Sequence, residues 1–177
     1  MNLHTIILTA GEGLRMNSNR AKSLQKIGGK SMLEMICKTA ASLNTKITLV
    51  VGFDKESIER ESNGFNLDIS TIEQPKAIGT GDAVKCGLKN NYNESNTLIL
   101  YGDVPLIKRE TLQNLIEASE DGICILTTTI ENPHGYGRVK KDEQDNAVAI
   151  IEEKDANEDE KKIKEIFTGV LCSSTTV

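Results

Sequence analysis

The sequence predicts an α/β fold, an open, mostly parallel sheet of the doubly wound type flanked by helices. Three observations predict it. Short, nearly continuous apolar runs rich in β-branched residues alternate with longer amphipathic stretches, the signature of parallel strands covered on both faces. The principal runs pass straight into segments carrying Gly, Gln or Asp, and ligands of such sheets bind just past the carboxyl ends of the strands. The chain has 177 residues, of which 38% are hydrophobic, with 14 Gly. That is a globular composition and the length of a single domain.

The elements follow in order. Residues 5–8 (TIIL) read as a strand. Residues 31–43 place Met32, Met35, Ile36, Thr39 and Ala40 at helical spacing, with Ser31 and Glu34 as a capping box. Met32 and Met35 read as core fillers. Residues 47–51 (ITLVV) form a second buried strand, stopped by Gly52, and Asp54 caps a short helix running through Arg60. The alternation in residues 67–72 predicts a third strand, and a helix over 80–88 follows a glycine turn. A fourth strand is predicted over 97–100, a helix over 108–118 and a fifth strand over 123–130. Residues 138–140 and 148–151 read as a hairpin around a polar turn, and 158–166 as a charged, exposed helix. The chain stops at Ser173-Ser174-Thr175-Thr176-Val177 without a closing element, so the fold is expected to be truncated at its C-terminal end.

Several function classes are disfavoured. A net charge of −5 gives no electrostatic footprint for a nucleic-acid backbone. No apolar run approaches the roughly 18 residues of a membrane span. The N-terminus lacks a basic region before its apolar stretch, so it does not read as a signal peptide. Cys37, Cys86, Cys124 and Cys172 lie far apart without a CxxC pair, which argues against zinc or redox chemistry and for reduced thiols in the cytoplasm. His4 opens a strand and reads as structural. His134 has no Ser or Cys partner that would make it catalytic.

The candidate site residues follow the strands. After the first comes Thr9-Ala10-Gly11-Glu12-Gly13-Leu14-Arg15-Met16. Gly11 and Gly13 let the backbone turn and present N–H groups to a phosphate. The segment is neither GxGxxG, since residue 16 is Met, nor a P-loop. Arg15 and, seven residues on, Lys22 supply a fixed fork and a mobile point charge suited to a polyphosphate. The plainer reading is a glycine turn with two surface cations.

After the third strand, Gly79 and Gly81 flank Thr80 at a helix start, where N–H groups favour an acceptor such as a base carbonyl or a phosphate. Gln74 can both donate and accept, as the edge of a nucleobase requires. A plain N-cap by Thr80 or Asp82 is the alternative. After the fourth strand, Gly102-Asp103-Val104-Pro105 sets a carboxylate where a phosphate-bridging metal ion would sit, or where it would bond its own turn. After the fifth, Gly135 and Gly137 allow close backbone approach around Tyr136. Glu152 could accept from sugar hydroxyls, or belong with Glu153, Lys154 and Asp155 to a solvated charge run.

Taken together, LTAGEGLRM, AKSL, IGTGDAV, YGDVPLI, NPHGYGRV and IEEKDA, in this order over residues 3 to about 171, resemble the N-terminal uridyltransferase domain of bacterial bifunctional N-acetylglucosamine-1-phosphate uridyltransferases. These enzymes belong to the sugar-nucleotidyltransferase family. The resemblance implies a Rossmann-like nucleotide-diphospho-sugar transferase fold, with a nucleotide-binding half over about 1–108 and a sugar-binding part over about 109–177. It implies a cytoplasmic enzyme that joins UTP and N-acetylglucosamine 1-phosphate into UDP-N-acetylglucosamine, a cell-wall precursor, and releases pyrophosphate. Leu8, Thr9, Ala10, Gly11 and Gly13 would hold the nucleotide, and Gln74, Gly79 and Thr80 would read the uracil. Arg15 and Lys22 would act on the triphosphate, Asp103 would bind Mg2+, and Gly102, Gly137 and Glu152 would contact the sugar.

No nucleic-acid or membrane partner is implied. A monomer or a weak dimer is expected, because the family's trimerising β-helix domain has no counterpart here. Leu14 and Ala21 replace the family's Thr and Pro, and Phe167 replaces an Asn that contacts the sugar nucleotide. Transfer of another nucleotide or to another sugar phosphate, and a non-catalytic nucleotide-sugar binding module, are the competing readings.

Overall fold

The computed structural model describes residues 2–11, 20–89, 96–119 and 122–174. The chain folds as two compact units, Met1–Cys124 with Leu171–Val177, and Ile125–Val170.

In the first unit, β1 (Leu3–Leu8) is followed by a 3-10 turn at Lys22–Leu24 and a small ribbon, β2 (Lys26–Ile27) and β3 (Lys30–Ser31). Then come α1 (Met32–Ala41), β4 (Lys46–Val51), α2 (Lys55–Asn63), β5 (Ile69–Glu73), α3 (Thr80–Leu88), β6 (Asn96–Tyr101) and α4 (Arg109–Glu117). β1 is buried at every position, as its unbroken apolar and β-branched run demands. The strand order is β5-β4-β1-β6, all parallel. Leu8 lies opposite Val50 on one side and Tyr101 on the other, and Val50 opposite Ile72. The carboxyl ends of all four strands are therefore level. The order reverses at β1: the chain steps outward to β4 and β5, then crosses to β6 on the other side. Such a switch point opens a crevice beyond the strand ends.

α3 lies against β1, where Ile6 packs with Ala83 and Cys86 in the core. A Cβ on Gly87 would stand 2.7 Å from Ile6 Cγ2, so only glycine admits this approach. α1 begins at the expected cap, with the Glu34 N–H donating to Ser31 Oγ at 3.0 Å. Its fully buried stripe is Leu33, Ile36, Cys37 and Ala40, while Met35 and Thr39 sit at the half-buried margin. α2 runs beyond Arg60 to Asn63. Asp54 holds the N-cap position but at φ 55°, and its side chain does not cap the helix. Its Oδ2 instead accepts the Ala21 N–H at 2.9 Å. At the C-terminal side of the unit, Leu171–Ser174 pair antiparallel with β6.

The second unit is built from β7 (Ile123–Thr129, entering from the first unit), β8 (Arg138–Lys141), β9 (Ala147–Ile151) and β10 (Glu165–Ser174, whose residues from Leu171 belong to the first unit). β8 and β9 form the expected antiparallel hairpin, with Val139 opposite Ile150. Asp142 Oδ1 organises its turn by accepting the N–H groups of Gln144 at 3.0 Å and Asn146 at 2.9 Å. The helix expected over 158–166 does not form. Asn157 Oδ1 draws the N–H groups of Asp159 and Glu160 into an Asx turn, a single 3-10 turn spans Glu160–Lys162, and the backbone extends into β10. The charged run mimicked a helix, but the β-branched and aromatic residues from Ile166 onward gain more from strand pairing.

Among the described residues, no helix is long and apolar enough to cross a membrane. All four cysteines are free thiols, three of them buried.

Candidate active site

The loop after β1 is held as an extension of the sheet. The Thr9 N–H donates to Val50 O at 3.0 Å and its hydroxyl to the same oxygen at 2.7 Å. The Gly102 N–H donates to Leu8 O at 3.0 Å, and the Phe53 N–H to Ala10 O at 3.2 Å. Leu8, Thr9 and Ala10 are buried, and Gly11 emerges into solvent. A Cβ on Gly102 would stand 2.7 Å from Thr9 Cγ2 and 3.1 Å from Ser23 Cβ. Gly102 is thus required by close packing between two strand ends. Gly13 and Arg15 lie outside the described residues, as does the Leu14 departure.

Across the same strand ends, Lys22 Nζ donates to Asp103 Oδ2 at 2.6 Å. Asp103 follows β6 by two residues. Lys22 opens the 3-10 turn whose next residues, Ser23 and Leu24, are buried and anchor it. Both charged side chains keep solvent contact, at 40% and 29% exposure. Ala21, fully buried, stands where the family pattern carries Pro, and its extra N–H is the one that Asp54 accepts. Among the described residues, no group of three or more His, Cys, Asp or Glu could cage a metal ion. A single carboxylate at this mouth suits Mg2+, which keeps waters and shares substrate phosphate oxygens. The donor set fits an ion carried in with a nucleotide.

Gln74 is 7% exposed, and its side-chain amide donates to Gly79 O at 3.0 Å and to Asp82 Oδ2 at 2.9 Å. Its donors are spent on the loop and on the first turn of α3. Gly79, at φ 134°, occupies the N-cap of α3, and no side chain caps the helix. Neither Thr80 nor Asp82 is the cap: Thr80 is the first helical residue, and Asp82 is bound to Gln74. Gly79, Thr80 and Gly81 are exposed, so the first turn of α3 presents its N–H groups to solvent or ligand.

In the second unit, Gly137 and Glu152 are neighbours. A Cβ on Gly137 would lie 2.9 Å from Ile150 Cγ2 and 3.7 Å from Glu152 Oε1. Glu152 is exposed. Beside it, Glu153 Oε2 accepts the Gly135 N–H at 3.0 Å and Arg138 Nη2 at 2.7 Å. The backbone N–H of Gly135, then the guanidinium, hold the Glu153 carboxyl below its usual value. Phe167 is half-buried, and its N–H donates to Gly137 O at 2.9 Å. Leu8, Thr9, Ala10, Gly11, Lys22, Gln74, Gly79, Thr80, Gly102 and Asp103 thus belong to the first unit, and Gly137 and Glu152 to the second. Sequence reasoning named Asp54 and Asp82 only as helix caps; it missed Arg138 and took Glu153 for part of a charge run. The signal for the last two was present, an Arg directly after the glycine pair and a Glu in the later charge run.

The MobA-like NTP transferase domain matches residues 5–151. The chain belongs to that family. The bifunctional protein GlmU of Psychrobacter sp. (strain PRwf-1) is 43% identical over 171 residues, covering 96% of this chain and 37% of that protein. The bifunctional protein GlmU of Neisseria gonorrhoeae is 45% identical over 170 residues, with the same shares of 96% and 37%. The chain spans little more than a third of the length of these relatives. A solved Bacillus anthracis structure, provisionally named a glucose-1-phosphate thymidylyltransferase and holding sucrose, superposes with a TM-score of 0.78. It is 16% identical, and the match covers 98% of this chain and 72% of that one. At that identity the likeness concerns the fold, which this NTP transferase shares: a mostly parallel sheet flanked by helices.

Proposed function

We propose that this NTP transferase domain joins UTP and N-acetylglucosamine 1-phosphate into UDP-N-acetylglucosamine, as a cytoplasmic enzyme. The observation that carries the reading is the Lys22–Asp103 pair at the switch-point crevice. It sets one cation and one hard oxygen donor beside the buried Leu8–Ala10 loop. The identity to two GlmU proteins supports the choice of substrates.

A phosphate oxygen of the sugar phosphate attacks the α-phosphorus of UTP. The new P–O bond forms as the bond to the β-phosphate oxygen breaks, and pyrophosphate leaves with its electron pair. No proton has to be moved by a side chain. Phosphoryl-type transfer asks mainly for alignment and for stabilisation of phosphate charge.

In this reading Lys22, with Arg15, neutralises the triphosphate and the departing pyrophosphate. Asp103 would hold Mg2+, which would draw charge from the phosphate oxygens when bound. Leu8, Thr9, Ala10, Gly11 and Gly13 seat the nucleotide. Gln74, its donors already engaged, fixes Gly79 and Thr80 so that their backbone reads the uracil. Gly102, Gly137 and Glu152 contact the sugar.

A second reading, another sugar phosphate as acceptor, is favoured by Phe167. Its ring supplies no hydrogen bond where the family has an amide, and loss of such a polar contact relaxes selectivity. The test is pyrophosphate release from each NTP paired with a panel of sugar 1-phosphates and Mg2+. Turnover highest with UTP and N-acetylglucosamine 1-phosphate is expected. UTP binding without turnover on any pair would overturn the enzymatic reading.

A further inference from the structure

Arg138 is 2% exposed, the largest fully buried side chain among the described residues. It directly follows Gly137, and its guanidinium donates to groups of the protein itself. One end donates to Tyr136 O, and the other to Glu153 Oε2 at 2.7 Å. Glu153 in turn accepts the Gly135 N–H at 3.0 Å. The backbone of the next turn is fixed as well, with the Asp155 and Ala156 N–H groups donating to Glu152 O at 2.9 and 3.0 Å. One buried fork and one carboxylate therefore tie the segment 135–138 to the segment 152–156. Between those ties stand Gly137 and Glu152.

The Nε–H of Arg138 is buried without a hydrogen-bond partner. Such an orphan costs free energy, and an aliphatic core residue would avoid it. What an aliphatic residue lacks is a rigid pair of donors at fixed spacing. Lys lacks it too, since its single ammonium has no planar fork.

We propose that Arg138, through Glu153, is a positioning residue for the acceptor sugar. It sets the separation of Gly137 and Glu152, so that the backbone at 137 and the Glu152 carboxylate present one face to sugar hydroxyls. The proposal rests on the sugar-phosphate reading above. It extends that reading to two residues which touch no substrate.

The experiment uses the intact chain carrying Glu153→Gln or Arg138→Lys. Glu153 keeps 27% of its side chain exposed, so Glu153→Gln is the milder of the two changes, and a thermal melt of each variant is taken first. Two readouts are taken. Hydrogen exchange of the amides in 133–138 reports the tie directly, without any substrate. Steady-state kinetics reports KM for the sugar phosphate and for UTP separately. Expected are faster exchange in 133–138 with β1 and β4 unchanged, a sugar-phosphate KM raised about tenfold or more, and a UTP KM within about twofold of wild type. Unchanged exchange overturns the proposal. So does an equal rise in both KM values, which would mark a merely structural role. Wild-type protein inactive on every sugar phosphate would sink the proposed function instead, and the exchange experiment would still decide whether the tie holds the segment.

Discussion

Lys22 Nζ and Asp103 Oδ2 meet at 2.6 Å although 81 residues separate them in sequence. The contact joins the turn that follows β1 to the end of β6, on the two sides of the switch point. Each group is the charge partner of the other until phosphates or a metal ion compete for them. An ion pair this exposed contributes little to stability, roughly 0–1 kcal/mol.

Asp103→Asn and Lys22→Met should therefore unfold at midpoints close to wild type. Their pyrophosphate release with Mg2+ should fall by about a hundredfold or more, the size of losing a preorganised charge contact in a transition state. Thermal melts run beside the assay separate the two effects. Wild-type turnover in Asp103→Asn would remove Asp103 from any metal role.

Gly102 and Gly11 should respond differently to alanine. At Gly102 the new Cβ meets Thr9 Cγ2 at 2.7 Å and Ser23 Cβ at 3.1 Å, so Gly102→Ala should lose about 1–3 kcal/mol from overpacking. At Gly11 nothing lies within 4 Å of the new methyl. Gly11→Ala should keep its stability within about 0.5 kcal/mol, yet bind UTP more weakly if backbone approach is what the loop provides. Urea titrations and UTP titrations of both variants check the contrast. Equal stability loss at the two positions would contradict the packing argument.

Those glycines show how far the sequence could be read. Strand runs such as residues 47–51, the Ser31–Glu34 cap and the glycine segments after the strands were legible because each is a local pattern with a local cause. The level strand ends follow from parallel pairing, so the gathering of Leu8–Gly11, Gln74 and Gly102–Asp103 at one edge was legible as well. The helix expected over 158–166 failed because a charged run is equally compatible with an Asx turn and the start of a strand. Asp54 looked like an ordinary cap, but its positive φ and the Ala21 N–H come from a tertiary approach over 33 residues. Arg138 with Glu153 was hidden in the same way. Each residue looks like a surface charge until the hairpin folds and buries one of them.

Acid should loosen the 135–138 segment. Gly135 N–H and Arg138 hold the Glu153 carboxyl below its ordinary value of 4.5. A lowered folded-state value means that the contribution is present above the ordinary carboxylate range and is lost as pH falls through the folded value. Hydrogen-exchange protection at 135–138 should therefore be constant near neutral pH and decline at acid pH. In Glu153→Gln that decline should shrink. An identical acid profile in the variant would show that other groups govern it; the lowered carboxyls of Glu160, Glu165 and Asp142 are the alternatives in this unit.

Ala21 and Asp54 should be energetically coupled. Ala21 has φ −53° and ψ 139°, a backbone that proline adopts readily. Proline there would lower the entropy of the unfolded chain, worth about 0.4–1 kcal/mol. It would also delete the N–H that Asp54 Oδ2 accepts at 2.9 Å and leave a part-buried carboxylate facing a ring. Ala21→Pro alone should thus be neutral to destabilising. Asp54→Gly alone should cost about 1–3 kcal/mol, because the N–H of a fully buried residue loses its acceptor. Together the two changes remove both partners, and the pair should cost less than the sum by roughly 1 kcal/mol. The φ of residue 54, at 55°, enters both sides of the cycle and cancels. Denaturant midpoints of the four proteins measure the coupling. Additivity within about 0.3 kcal/mol would mean that the hydrogen bond contributes nothing, and that proline at residue 21 has the same effect whatever stands at 54.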